Sequence, residues 1–125
     1  MTRCVAIIQA RLGSSRLPGK VLLPLDETNV LGLMVQRIKK AKQISEIIIA
    51  TTENKGDDIL CDEARKLGVS IFRGDEQDVL SRVYQAVLKS NADVIVRLTA
   101  DCPLMDGQLI DEALTEFLAS GYDYF

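Results

Sequence analysis

A buried strand that breaks into a cationic, glycine-containing loop constrains this chain more than any other stretch. Val5, Ala6, Ile7 and Ile8 form a continuous apolar run, which is how a strand covered on both faces reads. A loop containing Gly13, Pro18 and Gly19 follows, and an apolar run resumes from Val21 to Leu25. Arg11, Arg16 and Lys20 lie in the loop, and with Arg3 they give the first twenty-five residues four positive charges and no acid, in a chain of net charge −3. Open α/β sheets place ligands at the carboxyl ends of their strands, and a basic loop there demands a polyanion, phosphate being the obvious one.

The rest of the chain alternates in period. Asn29 can cap a helix with Val30, Leu31, Met34 and Ile38 on one face, and Ile44 to Ala50 reads as a second buried strand. Asp57 and Asp58 open a helix with Ile59, Leu60, Ala64 and Leu67 inward, stopped by Gly68 before a strand from Val69 to Phe72. Arg73-Gly74-Asp75 reads as a turn. Asp78 can cap a third helix facing inward through Val79, Leu80, Val83, Ala86 and Val87. Val94 to Leu98 is a fourth strand. After Asp106 a helix carries Leu109, Ile110, Ala113, Leu114, Phe117 and Leu118 at amphipathic spacing, ending at Gly121. The order βαβαβαβα predicts a three-layer α/β fold, Rossmann-like, with a mostly parallel sheet and helices on both faces.

Composition narrows the function. With 125 residues the chain fits one domain, and no apolar run approaches the roughly 18 residues of a membrane span. The strand at the amino terminus lacks the shape of a signal peptide, so a cytoplasmic location is expected, with no membrane or nucleic acid as partner. The chain contains no histidine, which removes a Cys-His nucleophile and a zinc site built on His, and Cys4 and Cys61 read as small buried hydrophobes.

Two common phosphate loops fail letter by letter. Five residues rather than four lie between Gly13 and Gly19, and Val21 rather than Ser or Thr follows Lys20, so this is no Walker A loop. Ser14, Ser15 and Arg16 follow Gly13, so it is no dinucleotide fingerprint either. What remains, QARLGSSRLPGK, resembles the signature loop of the cytidylyltransferases that make CMP-sugars. The segment LTADCPL, with Asp101 at a strand end before Cys102-Pro103, is a second match to that family, whose pattern there is G/A-D-x-P-L. The closest pattern is that of the spore-coat polysaccharide biosynthesis type.

The resemblance implies a nucleotide-diphospho-sugar transferase fold, of which residues 1–125 would be the nucleotide-binding, amino-terminal half. It implies transfer of CMP from CTP to a sugar acid or sugar phosphate for surface polysaccharide biosynthesis. Arg11, Lys20 and Asp101 would be the catalytic residues, with Asp101 holding Mg²⁺ beside the phosphates, as a hard cation favours. Gln9, Ala10, Gly13, Ser14, Ser15, Arg16, Gly19, Arg82 and Thr99 would bind the nucleotide. Ser81-Arg82 falls where the CMP-Kdo synthetases read T-D-R, so Ser81 departs from the family's aspartate in a way that bears on sugar or base specificity. For Arg82 an exposed helix charge is an equal reading. Family members are about twice as long, and the second metal carboxylate and most of the acceptor pocket would follow residue 125. A non-catalytic nucleotide-binding or dimerisation domain therefore stays open, as does a homodimer. So does an α/β domain whose basic loop binds another anion.

Overall fold

The computed structural model describes residues 2–13, 20–25, 27–100 and 106–121, the side chains of Lys20 and Leu25 excepted. In chain order the elements are β1 (Cys4–Gln9), a short hairpin of β2 (Pro24–Leu25) and β3 (Thr28–Asn29), α1 (Val30–Ile38), β4 (Ile44–Thr52), α2 (Asp58–Leu67), β5 (Ser70–Gly74), α3 (Val79–Ser90), β6 (Val94–Thr99) and α4 (Gly107–Ser120). Single 3-10 turns at Lys20–Leu22 and Lys55–Asp57 precede β2 and α2.

Apolar alternation along the strands sets the layers. β1 buries Cys4, Ala6 and Ile8 on one face, with Leu31, Met34, Val35 and Ile38 of α1, Leu60 and Ala64 of α2, and Ile110 and Leu114 of α4. Its other face buries Val5 and Ile7 with Val83 and Ala86 of α3. β4 divides in the same way, Ile47 and Ile49 against Ile48 and Ala50. The sheet is parallel and ordered β5-β4-β1-β6, with three helices on one face and α3 on the other, which is the three-layer architecture expected. Each fully buried large aliphatic chain contributes about 1.5–3 kcal/mol, so the continuous runs of β1 and β4 dominate the core.

Local signals act as the sequence suggests at the helix ends. Asn29 Oδ1 accepts the Gly32 N–H at 2.7 Å, Asp78 Oδ1 that of Ser81 at 2.9 Å, and Asp106 Oδ1 that of Gln108 at 2.9 Å. Gly68 closes α2 at φ 71°, a left-handed conformation that an L side chain rarely adopts.

Several inward assignments do not hold. Leu80 is 72% exposed, Ile59 50%, Leu109 56% and Leu118 45%. In α3 the cause is a second apolar stripe, Leu80, Tyr84 and Leu88, spaced i, i+4, i+8 like the first; only one stripe can face the sheet, and Arg82, Val83, Ala86 and Ser90 occupy it. Cys4 is buried but Cys61 only half-buried. Arg73 and Gly74, expected in a turn, end β5 instead, and the run from Val21 to Leu25 is divided between a 3-10 turn and the hairpin. Among the described residues no helix is long and apolar enough to cross a membrane.

Candidate functional site

The carboxyl ends of β1 and β6 are neighbours. Gln9 stands opposite Thr99, the Ala100 N–H donates to the Gln9 carbonyl at 3.2 Å, and on the other side the Ala10 N–H donates to the Ala50 carbonyl at 3.1 Å. The loop after β1 and the segment after β6 therefore leave the sheet side by side. This is also where strand order reverses, since β4 and β5 extend the sheet from one side of β1 and β6 returns to the other. Open parallel sheets hold ligands in the crevice that such a reversal creates.

Arg82 lies at the same carboxyl end of the sheet, beside Gly74 at the end of β5 and near enough to Arg11 and Arg97 for their charges to act on it. It lies in the first turns of α3 and is 1% exposed. Its Nη1 donates to the Asp75 carbonyl at 3.2 Å, while Nε and Nη2 have no partner among the described residues. Burial lowers its pKa, and the charge of Arg11 and, more weakly, Arg97 acts in the same direction, opposed by Asp57 and Asp75. A desolvated guanidinium with two unused donors and two cations in range is costly, several kcal/mol if nothing answers it. Its planar fork matches the oxygens of phosphate or carboxylate. Arg97 contributes a second fixed group, its Nη2 donating to Gln9 Oε1 at 2.8 Å.

Of the residues expected in the site, the structure pairs Gln9 with Thr99 and sets Arg11 within electrostatic range of Arg82. The alternative reading of Arg82 as an exposed helix charge is excluded by its burial. Ala10 is buried among core residues, so its side chain serves packing. At Gly13 an added Cβ would meet nothing within 4 Å among the described residues. Lys20 begins a 3-10 turn. Ser14, Ser15, Arg16, Gly19 and Asp101 lie outside the described residues.

Two residues escaped the sequence reading. Arg97 interrupts the apolar strand VIVRLT, and that interruption was a usable signal. Asp57, read only as a helix opener, is 4% exposed, and its carboxylate accepts the Leu12 N–H at 2.7 Å together with the Thr52 hydroxyl. Nothing in the local sequence announces a contact across 45 residues. Arg73 stands apart from the crevice: it donates to the Thr52 and Asn54 carbonyls and to Asp58, each at 2.7 Å, and its pKa is raised chiefly by the bond to Asp58. Among the described residues no group of three or more His, Cys, Asp or Glu side chains is placed to hold a metal.

A family model described as cytidylyltransferase matches residues 5–125. The chain belongs to the cytidylyltransferase family. It is 39% identical over 128 residues to spore coat polysaccharide biosynthesis protein SpsF of Bacillus subtilis, covering 99% of this chain and 53% of that protein. A solved cytidylyltransferase from Leptospira borgpetersenii superposes with a TM-score of 0.92 at 42% identity, over 97% of this chain and 51% of the other. A CMP:2-keto-3-deoxy-manno-octonic acid synthetase solved with CTP has the same fold, with a TM-score of 0.80 at 24% identity over 94% of this chain and 48% of its own. The chain spans about half the length of the curated relatives it matches.

Proposed function

We propose that this chain is the nucleotide-binding half of a cytidylyltransferase that uses CTP and passes CMP to a sugar acid or sugar phosphate destined for a surface polysaccharide. The observation that carries this reading is the buried Arg82 fork, unanswered within the described residues and held at the carboxyl end of the sheet within electrostatic range of Arg11 and Arg97. A polyanionic ligand relieves that arrangement; an apolar or cationic one worsens it.

The reaction is attack of an acceptor oxygen on the α-phosphorus of CTP with departure of pyrophosphate. Little covalent chemistry falls to the protein, which positions the groups and stabilises the developing charge. Arg11, Arg16 and Lys20, with backbone N–H groups near Gly13, Ser14, Ser15 and Gly19, hold the phosphates. Gln9, Ala10 and Thr99 are assigned to the base and ribose side, and Arg82 offers its fork to an anionic group of the ligand. Asp101, next in sequence to Ala100, is the residue that would hold Mg²⁺, whose chemistry there is neutralisation of phosphate charge.

Calorimetric titration with CTP, with and without Mg²⁺, tests the reading. Binding that needs the metal and falls in Lys20→Ala and in Asp101→Asn supports it; equal affinity with and without metal, or no loss in either variant, overturns it. Pyrophosphate release from CTP in the presence of sugar acids tests the transfer step itself.

A further inference from the structure

We propose that Asp57 is a positioning residue: its carboxylate latches the opening of the basic loop, at Leu12, to the end of β4 and so presets that loop for the triphosphate. The inference rests on the nucleotide reading above and adds to it a residue that lies far from the loop in sequence.

The anchor is built before it reaches the loop. Thr52, fully buried at the end of β4, accepts the Asn54 N–H on its hydroxyl at 3.1 Å. Asn54 Oδ1 accepts the Gly56 N–H at 2.7 Å, and the Asn54 carbonyl that of Asp57 at 2.9 Å. Arg73 ties the same turn to β5 through the Thr52 and Asn54 carbonyls. Asp57 is thus fixed on a rigid turn, and one of its oxygens reaches out of that turn to Leu12 while the other accepts from Thr52.

Packing alone does not explain a carboxylate here. Burying an ionised group is costly, and an apolar residue of similar size would fill the space without that cost. What the charge supplies is a charge-assisted hydrogen bond to a loop amide. It also supplies a negative field at Arg82, whose charged form it favours. A loop held in its binding geometry loses less entropy when the ligand arrives, and displacement of about 1 Å in such a group is enough to cost orders of magnitude.

The test uses the 125-residue chain as Asp57→Ala, Asp57→Asn and Thr52→Val, with CTP, CMP and amide hydrogen exchange as probes. Loss of the latch should weaken CTP binding about tenfold in Asp57→Ala, the equivalent of one charge-assisted hydrogen bond, and CMP binding much less. The Leu12 amide should exchange faster in the unliganded Ala variant. Asn should restore both in part, since Oδ1 still accepts from Leu12 but through a neutral bond about half as strong. Thr52→Val keeps the Leu12 acceptor but removes its tie to β4, and should weaken CTP binding in the same direction as Asp57→Ala but less. CTP and CMP affinities that fall together in Asp57→Ala, or unchanged exchange at Leu12, would overturn the latch. Failure of the wild-type chain to bind CTP would instead overturn the nucleotide reading, and the exchange result would still report whether Asp57 holds Leu12.

Discussion

A Cβ placed on Gly74 would stand 3.0 Å from Cγ of Arg82 and 3.3 Å from its Cα. The last residue of β5 and the first turns of α3 meet with no room for a side chain between them, and that close approach holds the Arg82 side chain over the end of the sheet. Part of the contact is backbone, so a rotamer change cannot relieve it. Gly74→Ala should cost about 1–3 kcal/mol, the usual range for overpacking. CTP affinity should fall with it as Arg82 shifts. Urea denaturation and calorimetry read the two effects, and an unchanged unfolding midpoint would show that the helix moves freely.

Arg82 itself separates function from stability. At Arg82→Met a flexible apolar chain of comparable length replaces a buried cation, so the unfolding midpoint should stay level or rise while CTP binding drops by tenfold or more on the order of one lost charged contact. Since its pKa is lowered but arginine remains charged throughout the working range, the penalty of burial is present at every ordinary pH. Anions, not pH, are therefore the lever on this site. A less stable variant with unchanged binding would make Arg82 a structural residue.

The layered fold was legible because its strands are near-continuous apolar runs and its helices carry cap residues: Asn29, Asp78 and Asp106 each make the bond their position suggests. Less legible was the choice between equally periodic stripes, as in α3, where Leu80, Tyr84 and Leu88 mimic a core face but lie outside. In the site, the resemblance to the family pointed to Gln9, Arg11 and Thr99, but no local pattern could reveal that Arg82 is buried or that Asp57 reaches Leu12. Both depend on strand order, which places β4 and β6 on either side of β1.

Asp75 supplies a pH dependence. Its carboxylate accepts the Asp78 N–H at 3.0 Å and the Gln77 N–H at 2.7 Å, and these bonds, in that order of effect, lower its pKa. A carboxylate whose folded pKa lies below its unfolded value contributes stability that is complete above the unfolded value and is lost as pH falls through the folded one. The turn leading into α3 should therefore loosen in acid below the ordinary carboxylate range. In Asp75→Asn that part of the acid limb should be absent, which denaturant midpoints measured from neutral to strongly acidic pH would show; parallel pH profiles would count against it.

The contact between α1 and α4 leaves no room for a side chain on Gly107. An added Cβ on Gly107 would lie 2.7 Å from the Arg37 carbonyl oxygen and 2.8 Å from the Ala41 nitrogen, both backbone atoms. Asp111 pins the same junction by accepting the Lys42 and Gln43 N–H groups at 2.8 and 2.9 Å, so α4 cannot simply ride outwards to make room. Gly107→Ala should consequently cost about 3 kcal/mol or more, at or above the upper end of the overpacking range and more than Gly74→Ala. Asp111→Ala removes two hydrogen bonds to a charged acceptor without forcing atoms together, and should cost about 1–3 kcal/mol. Both changes lie where α1 turns towards the amino end of β4, away from the crevice at the carboxyl ends of β1 and β6. CTP affinity per folded molecule should then be unchanged in either, and denaturant midpoints paired with calorimetry on the folded fraction would expose any departure. A Gly107→Ala protein as stable as wild type would mean that α4 is not held against α1 as the contacts require.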